Sequence, residues 1–110
     1  MKIVKEALLT QLGYNITDTE LKELDKIISN TKNFDKIKNH ILSLHDHLKE
    51  FFGFVALSNS KPYFKIKIDT DNQSQIEAAK EEITHWANKY NVKLEKVEGK
   101  NTYYILGVEK

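Results

Sequence analysis

The feature that most constrains the fold of this chain is a change of hydrophobic period just after Gly53. Before that residue, apolar residues recur every three or four positions, which is the spacing of one face of an α-helix. After it they alternate with polar residues, as in half-buried strands. One stretch, Gln73–Tyr90, returns to helical spacing inside the alternating part. The sequence therefore predicts an α+β fold, with about three N-terminal helices followed by a ββαββ unit that forms a four-stranded, mostly antiparallel sheet.

The helix inside the ββαββ unit, α4, is predicted to span Gln73–Tyr90. Its apolar side chains fall on one stripe when each residue turns by about 100°: Ile76, Ala79, Ile83, Trp86, Ala87 and Tyr90. Asp71, Asn72 or Ser74 can accept a backbone N–H as the N-cap. Asn91 tolerates the left-handed conformation of a C-cap. We expect this stripe, including Trp86 and Tyr90, to lie in the core beneath the sheet.

The first half of the chain is predicted to form three helices: α1 from about Lys2 to Leu12, α2 from Asp18 to about Ser29, and α3 from Phe34 to near Gly53. Thr17 and Glu20 have the spacing of a capping box at the start of α2. Asn33 is the expected cap of α3. The near-heptad spacing in α3 predicts lengthwise packing on a neighbouring helix, and α2 is the expected antiparallel partner.

Four strands are predicted in the second half: β1 at Phe54–Ser58, β2 at Tyr63–Asp69, β3 at Val92–Val97, and β4 at Thr102–Val108. Because α4 carries the chain back along the sheet, β3 is expected to run parallel to β2 through a right-handed crossover. Lys65 and Lys67 resemble the charges that protect an edge strand. They favour the order β2-β1-β3-β4, with β1-β2-β4-β3 as the alternative.

The two faces of this sheet are predicted to differ. One should lie against α4 and carry Phe64, Ile66, Ile68, Val92, Leu94, Tyr104, Leu106 and Val108. The other should mix charged and apolar residues: Tyr63, Lys65, Lys67, Lys93, Glu95, Val97, Tyr103 and Ile105, with Val55 and Leu57 from β1. A half-apolar outer face indicates a contact surface. The N-terminal helices, another subunit or a partner would cover it, or α3 would instead extend the layer formed by α4.

The length of 110 residues fits a single domain, 1–110, with a helical part at 1–52 and the ββαββ part at 53–110. The chain contains no cysteine, and it has no apolar run of the roughly 20 residues that a membrane helix needs. The start of the sequence lacks the long apolar core of a secretory signal. These features favour a cytoplasmic protein that does not enter a membrane.

The charge pattern argues against a dedicated nucleic-acid binder. The 17 basic and 16 acidic residues leave a formal net charge of +1, and all the basic residues counted are lysines. Arginine supplies the planar fork that binds phosphate and guanine in two places at once. The abundance of Lys, Asn and Ile is typical of a bacterial-like, AT-rich composition, so the lack of arginine is moderate support for this exclusion.

The sequence contains no recognisable catalytic or metal-binding motif. His45 and His47 point about 200° apart on a helix and cannot share an ion. His47 and Glu50 would form half of a metal site only if another helix supplied the remaining ligands. Neither a nucleophile elbow nor a glycine-rich phosphate loop is present. We therefore predict a protein that is not an enzyme, with no catalytic residue, no metal and no cofactor.

The function favoured by the sequence is that of a small protein-interaction or structural protein, either a homo-oligomer such as a homodimer or an adaptor for a protein partner. It would make contact through the outer sheet face, through α3, or through both. The alternative is weak, largely sequence-independent binding of nucleic acid, in which rings stack on bases and lysines meet phosphates. The candidate binding residues are Tyr63, Lys65, Lys67, Lys93, Tyr103 and Ile105.

Overall fold

The computed structural model describes residues 5–58 and 60–108, and it confirms the α+β fold. The helices are α1 (Lys5–Gln11), α2 (Asp18–Asn30), α3 (Phe34–Leu48) and α4 (Gln73–Tyr90), and a 3-10 turn at Lys49–Phe51 continues α3. The strands are β1 (Gly53–Leu57), β2 (Phe64–Ile68), β3 (Val92–Lys96) and β4 (Thr102–Val108). The bounds of α4 are those predicted. The predicted start of α1 at Lys2 lies outside the described residues.

The helix ends follow the local sequence at all four predicted cap positions. The Thr17 hydroxyl accepts the Glu20 N–H at 3.2 Å, and Asn72 caps α4 through its side chain. Asn91 ends α4 in the left-handed conformation, with φ of 56°. Asn33 is also left-handed, but its side chain does not cap α3. It donates instead to the Val108 carbonyl oxygen at 2.8 Å, so Asn33 occupies the predicted N-cap position of α3 without a capping hydrogen bond from its side chain.

The sheet has the order β1-β2-β4-β3, and each neighbouring pair is antiparallel. The preferred order β2-β1-β3-β4 is therefore wrong and the alternative is right. Because β2 lies inside the sheet, Lys65 and Lys67 do not protect an edge. Both β2 and β3 run antiparallel to β4, so they run parallel to each other, as the crossover through α4 predicted.

One face of the sheet, the inner face, is covered by α3 and α4 lying side by side. α3 packs mainly on β1 and α4 on β3, and the two helices also contact each other. Ile83 is fully buried, and the Trp86 indole N–H donates to the His40 carbonyl oxygen at 3.1 Å. The predicted pairing of α2 with α3 is not the main contact of either helix, since α2 packs on α1 and β1. The alternative, in which α3 extends the α4 layer, is right.

The inner face of β1 and β4 carries side chains that the sequence placed outside. Residues directly opposite one another in an antiparallel pair share a face. Tyr103 lies opposite Ile66, and Val55 lies opposite Ile66 on the other side. By the same rule Leu57 is an inner residue, and Ile105 is fully buried. The prediction that these residues face outward is therefore wrong, and Tyr104, predicted to face inward, lies on the outer face.

A bulge in β4 explains the errors at Tyr103, Tyr104 and Ile105. The register pairs Lys93 with Gly107 but Leu94 with Ile105, so Leu106 is an extra residue in β4. Such an insertion reverses the alternation on either side of it. Counting back from Val108, which is correctly placed in the core, gives the wrong face for every residue before the bulge.

The bulge is held by a close approach between β4 and the loop that joins α2 to α3. The Lys32 N–H donates to the Leu106 carbonyl oxygen at 3.1 Å, and the Lys32 carbonyl oxygen accepts the Val108 N–H at 2.9 Å. Gly107, with φ of +119°, lies between these two bonds, and a Cβ there would be 2.4 Å from the Lys32 backbone N and O. Only glycine fits this position without moving one of the two backbones.

We predict that Gly107→Ala lowers the free energy of unfolding by at least about 3 kcal/mol, because it adds a backbone clash to an unfavourable φ. Gly99→Ala is the matched control. Gly99 also has a positive φ, +78°, but a Cβ added there would have no atom within 4 Å, so about 1 kcal/mol is expected. Urea denaturation of both variants measures the difference, and equal losses would contradict the proposed clash.

Candidate functional site

The face of the sheet opposite α3 and α4, here called the outer face, is the main candidate for a binding surface. One row of side chains crosses all four strands in register: Ala56, Lys65, Tyr104 and Glu95. A second row contains Phe54, Lys67 and Thr102. Lys67 is exposed, and Phe54 and Lys65 are half-buried. This face therefore presents lysines at its centre, with small and aromatic residues around them and the acidic Glu95 on β3.

A cleft of about 200 Å³ lies where the outer face meets the two hairpin turns. Its lining consists of hydroxyl groups, lysines and one valine: Ser58, Ser60, Lys65, Lys67, Val97, Lys100, Thr102 and Tyr104. The Tyr104 hydroxyl lies 2.9 Å from the Ser60 Oγ. Hydrogen bonds to Ser60 and Ser58, with smaller contributions from Lys61 and Lys100, lower the pKa of Tyr104 below its ordinary value. The cleft therefore favours negative charge.

A second hollow, of about 410 Å³, separates the outer face from α2. Its lining combines acidic residues of α2 with the lysines of β2: Tyr14, Thr19, Glu20, Glu23, Phe54, Ala56, Leu57, Lys65 and Lys67. α2 thus borders the outer face along β1, which is less than the cover by the N-terminal helices that one of the alternatives proposed. Because this hollow lies between the helix and Lys67, which is exposed, the helix does not close over the lysines.

The predicted binding residues divide between the two faces of the sheet. Lys65 and Lys67 lie on the outer face, and Tyr63 is beside them, with its ring 6.0 Å from that of Tyr104. Lys93 is exposed on β3 and alternates with the inward-facing Leu94, so it also faces outward. Tyr103 and Ile105 lie on the inner face, as described above. Burial, and then Glu77, raises the pKa of Tyr103, which is consistent with its place beneath α4.

The outer edge of β1 is closed by two side chains. The Val55 N–H donates to His45 Nδ1 at 3.0 Å, and the Leu57 N–H donates to the Tyr14 hydroxyl at 2.9 Å. Alternate residues of an edge strand point their backbone groups away from the neighbouring strand. Val55 and Leu57 are those residues here, since Ser58 bonds to Tyr63 across the hairpin. Two donors that would attract a foreign strand are thereby satisfied.

His45 has a structural role that the sequence analysis did not assign to it. Its side chain is buried, with 7% exposure, and its Nδ1 can accept from Val55 only when that nitrogen carries no proton. Burial, and then the positive charge of Lys49, lowers the pKa of His45, while Asp46 opposes the shift. The burial of His45 could have been predicted from the sequence, because residues 41, 45 and 48 have the spacing of one buried helix face.

Two of the other histidines, His47 and His85, line a cleft of about 250 Å³ between α3 and α4. Its lining residues are Ser43, Leu44, His47, Glu82, His85, Trp86, Lys89 and Tyr90. His47 Nε2 lies 3.0 Å from a Glu82 oxygen. The second helix thus supplies one carboxylate, but no three His, Cys, Asp or Glu residues among those described could jointly hold a metal ion. Ser43 makes no hydrogen bond to His47 within the described part of the chain, so His47 is paired with Glu82 and not with a nucleophile in this cleft.

Comparison with known proteins adds no further constraint on the site. The chain matches no family model, no curated protein and no solved structure. Within residues 5–58 and 60–108, none of the helices combines the length and the apolar character needed to cross a bilayer. The candidate surfaces are therefore the outer face and the cleft between α3 and α4, and their geometry is the basis for assigning a function.

We predict that protonation of His45 destabilises the fold. The lowered pKa means that the unfolded chain, with a histidine pKa of 6.5, binds the proton first as the pH falls. The stabilising contribution of neutral His45 is therefore complete above pH 6.5 and is lost as the pH falls towards the pKa of the folded state. Thermal or urea denaturation between about pH 7.5 and about pH 5.5 measures this loss.

His45→Phe removes the titrating group and leaves the Val55 N–H without its acceptor. We expect this variant to be less stable by about 1–3 kcal/mol at pH 7.5 and to have a weaker pH dependence than the wild type. His85→Gln, at an exposed position, is the control and should keep the wild-type pH dependence. The same pH dependence in wild type and His45→Phe would refute the assignment.

Proposed function

We propose that this chain is a non-enzymatic interaction protein that binds an acidic surface of a protein partner through the outer face of its sheet. The observation that carries the proposal is the position of Lys65 and Lys67. They occupy the second strand of a four-stranded sheet, on the face that α3 and α4 do not cover. Internal strands have no need of lysines for edge protection, so these two side chains call for another explanation.

The composition of the outer face suits a protein partner. Phe54 and Tyr63 are half-buried beside the lysines, so apolar contact area and charge lie next to each other. Protein interfaces commonly combine apolar contact area with polar, solvated groups in this way. α3, the other surface that the sequence suggested, buries its apolar stripe against the sheet and α4. Its burial leaves the outer face as the better-supported contact surface.

The charge of this surface favours a partner of opposite sign over a second copy at the same face. In a twofold dimer the same patch occurs on both subunits. The lysine-rich centre of one outer face would then meet that of the other, and like charges that lose solvent repel each other. An adaptor role with an acidic partner avoids this cost.

Binding of single-stranded nucleic acid through the same face is the second candidate. It is favoured by the cleft described above, in which Lys65, Lys67 and Lys100 are surrounded by hydroxyl groups and no carboxylate lines the wall. Stacking is less well supported. Tyr104 is 8% exposed, and the Tyr63 ring is tilted against it by 44°. Any nucleic acid would therefore be held mainly by its phosphates.

The test is a pair of charge-reversal variants with the same change of net charge. Lys65→Glu/Lys67→Glu alters the outer face, whereas Lys36→Glu/Lys49→Glu alters exposed positions on α3 and on the 3-10 turn that follows it. We expect a partner retained by the wild type to lose at least about tenfold in affinity for the outer-face variant and less than about twofold for the control, measured by titration calorimetry on the purified pair. Equal losses would reject the outer face as the interface.

The second candidate is tested on the same variants with a fluorescent single-stranded RNA homopolymer. If the protein partner is the ligand, RNA affinity at physiological salt should be negligible for all variants. Binding by the wild type that falls steeply with added salt, and that is lost in Lys65→Glu/Lys67→Glu alone, would replace the protein-partner proposal by the nucleic-acid one.

A further inference from the structure

The two edges of the sheet are treated differently by the rest of the molecule. The outward N–H groups of β1 are capped by His45 and Tyr14, as described above. At the other edge, the Val97 N–H donates to the Thr102 carbonyl oxygen at 2.9 Å, so Val97 points its backbone towards β4. By alternation, the backbone groups of Lys96, Leu94 and Val92 point away from the sheet.

The outward groups of β3 have no comparable caps. Within residues 5–58 and 60–108, no side chain or loop hydrogen-bonds to the backbone of Val92, Leu94 or Lys96 at this edge. Lys93, Glu95 and Lys96 are exposed, and charges of this kind discourage the addition of a foreign strand. The charges differ in sign, however, so a strand with complementary charges can still pair with β3, whereas other strands are disfavoured.

The sequence of β3, VKLEK, is complementary to itself in one antiparallel register. If a twofold axis passes through Leu94, then Lys93 of one copy lies opposite Glu95 of the other. Glu95 of the first copy likewise lies opposite Lys93 of the second. Opposite charges in direct cross-strand positions are stabilising. The same register pairs Leu94 with Leu94 and Val92 with Lys96, so the outward backbone groups of the two strands meet as a continuous ladder.

The neighbouring registers are unfavourable. An axis through Glu95 would place the two Glu95 carboxylates opposite each other, and an axis through Lys93 would do the same for the two lysines. Like charges that face each other directly are destabilising. Of these three registers, the charge pattern favours only the one centred on Leu94.

We propose that two copies of this chain associate by antiparallel pairing of their β3 edges about a twofold axis at Leu94, which joins the two sheets into one. The inference goes beyond the proposed function, because it uses a different surface and a different partner. An axis perpendicular to the sheet leaves both outer faces on the same side of the joined sheet. The lysines of the two copies would then form one extended surface, and a divalent acidic partner would gain affinity by binding both.

The first test is the oligomeric state of the full chain across concentrations. A single strand pair is a small interface, so we expect a reversible dimer in sedimentation velocity between about 5 µM and about 500 µM. Lys93→Glu and Glu95→Lys should each weaken dimerisation at least tenfold, since each places like charges opposite each other. Lys93→Glu/Glu95→Lys restores opposite charges and should return the dissociation constant to within about threefold of the wild type.

A second measurement tests the pairing register on the wild-type protein. Amide hydrogen exchange should show Leu94 and Lys96 protected at high protein concentration and unprotected on dilution, while Val55 and Leu57 stay protected at both because they are capped within one copy. Lys96→Pro removes one outward N–H at an exposed edge position, where proline is tolerated. It should also weaken the dimer at least tenfold, and circular dichroism checks that each variant is folded.

Three results would overturn the proposal. The first is a monomer at every concentration in this range. The second is a dimer whose affinity the charge-swapped double variant does not recover. The third is a dimer in which exchange at Leu94 and Lys96 does not depend on concentration. None of these results bears on binding at the outer face, which is tested separately with the Lys65 and Lys67 variants, so the two proposals can fail independently.

Discussion

The constraint on which the rest of the structure depends is that a single helical layer covers one face of the sheet. The burial of Phe64, Ile66 and Ile105 against Ile41 and Ile83 forms the centre of the core. Removing large apolar side chains of this kind from water is the dominant favourable contribution to folding. Because this layer uses the apolar stripes of both α3 and α4, the opposite face of the sheet is left to interact with water or with a partner.

This one-sided arrangement gives lysines a place in the middle of the sheet. Lys65 and Lys67 alternate with the buried Phe64, Ile66 and Ile68. The apolar residues of β2 therefore pack in the core, and its lysines lie on the opposite, solvated face. The two edge strands of the sheet still have outward backbone groups that could pair with a foreign strand. The outward N–H groups of β1 donate to the side chains of His45 and Tyr14. The edge of β3 instead carries charges of both signs. The outer face and the β3 edge are thus both consequences of the same single-layer core.

The local part of this fold could be predicted from sequence, and the long-range part could not. The bounds of α4 were predicted because its caps and its hydrophobic spacing agree within about 20 residues. The strand order depends on contacts between distant segments. The faces of Tyr103 and Ile105 were wrong because the bulge at Leu106 depends on Lys32, which is far away in the chain. Tyr63, Lys65, Lys67 and Lys93 were placed on the outer side because β2 and β3 alternate without interruption.

The contact between β4 and the loop after α2 also bears on how the protein is made. Asn33 and Val108, which share a hydrogen bond, are 75 positions apart. During translation the loop leaves the ribosome several seconds before β4 does, at typical elongation rates of about 5–20 residues per second. In that interval α2 and α3 can pack on β1 but not on β4, so the part of α3 that contacts β4 in the complete fold is open to chaperones. Cellular folding of this chain is thus expected to finish only when β4 has emerged.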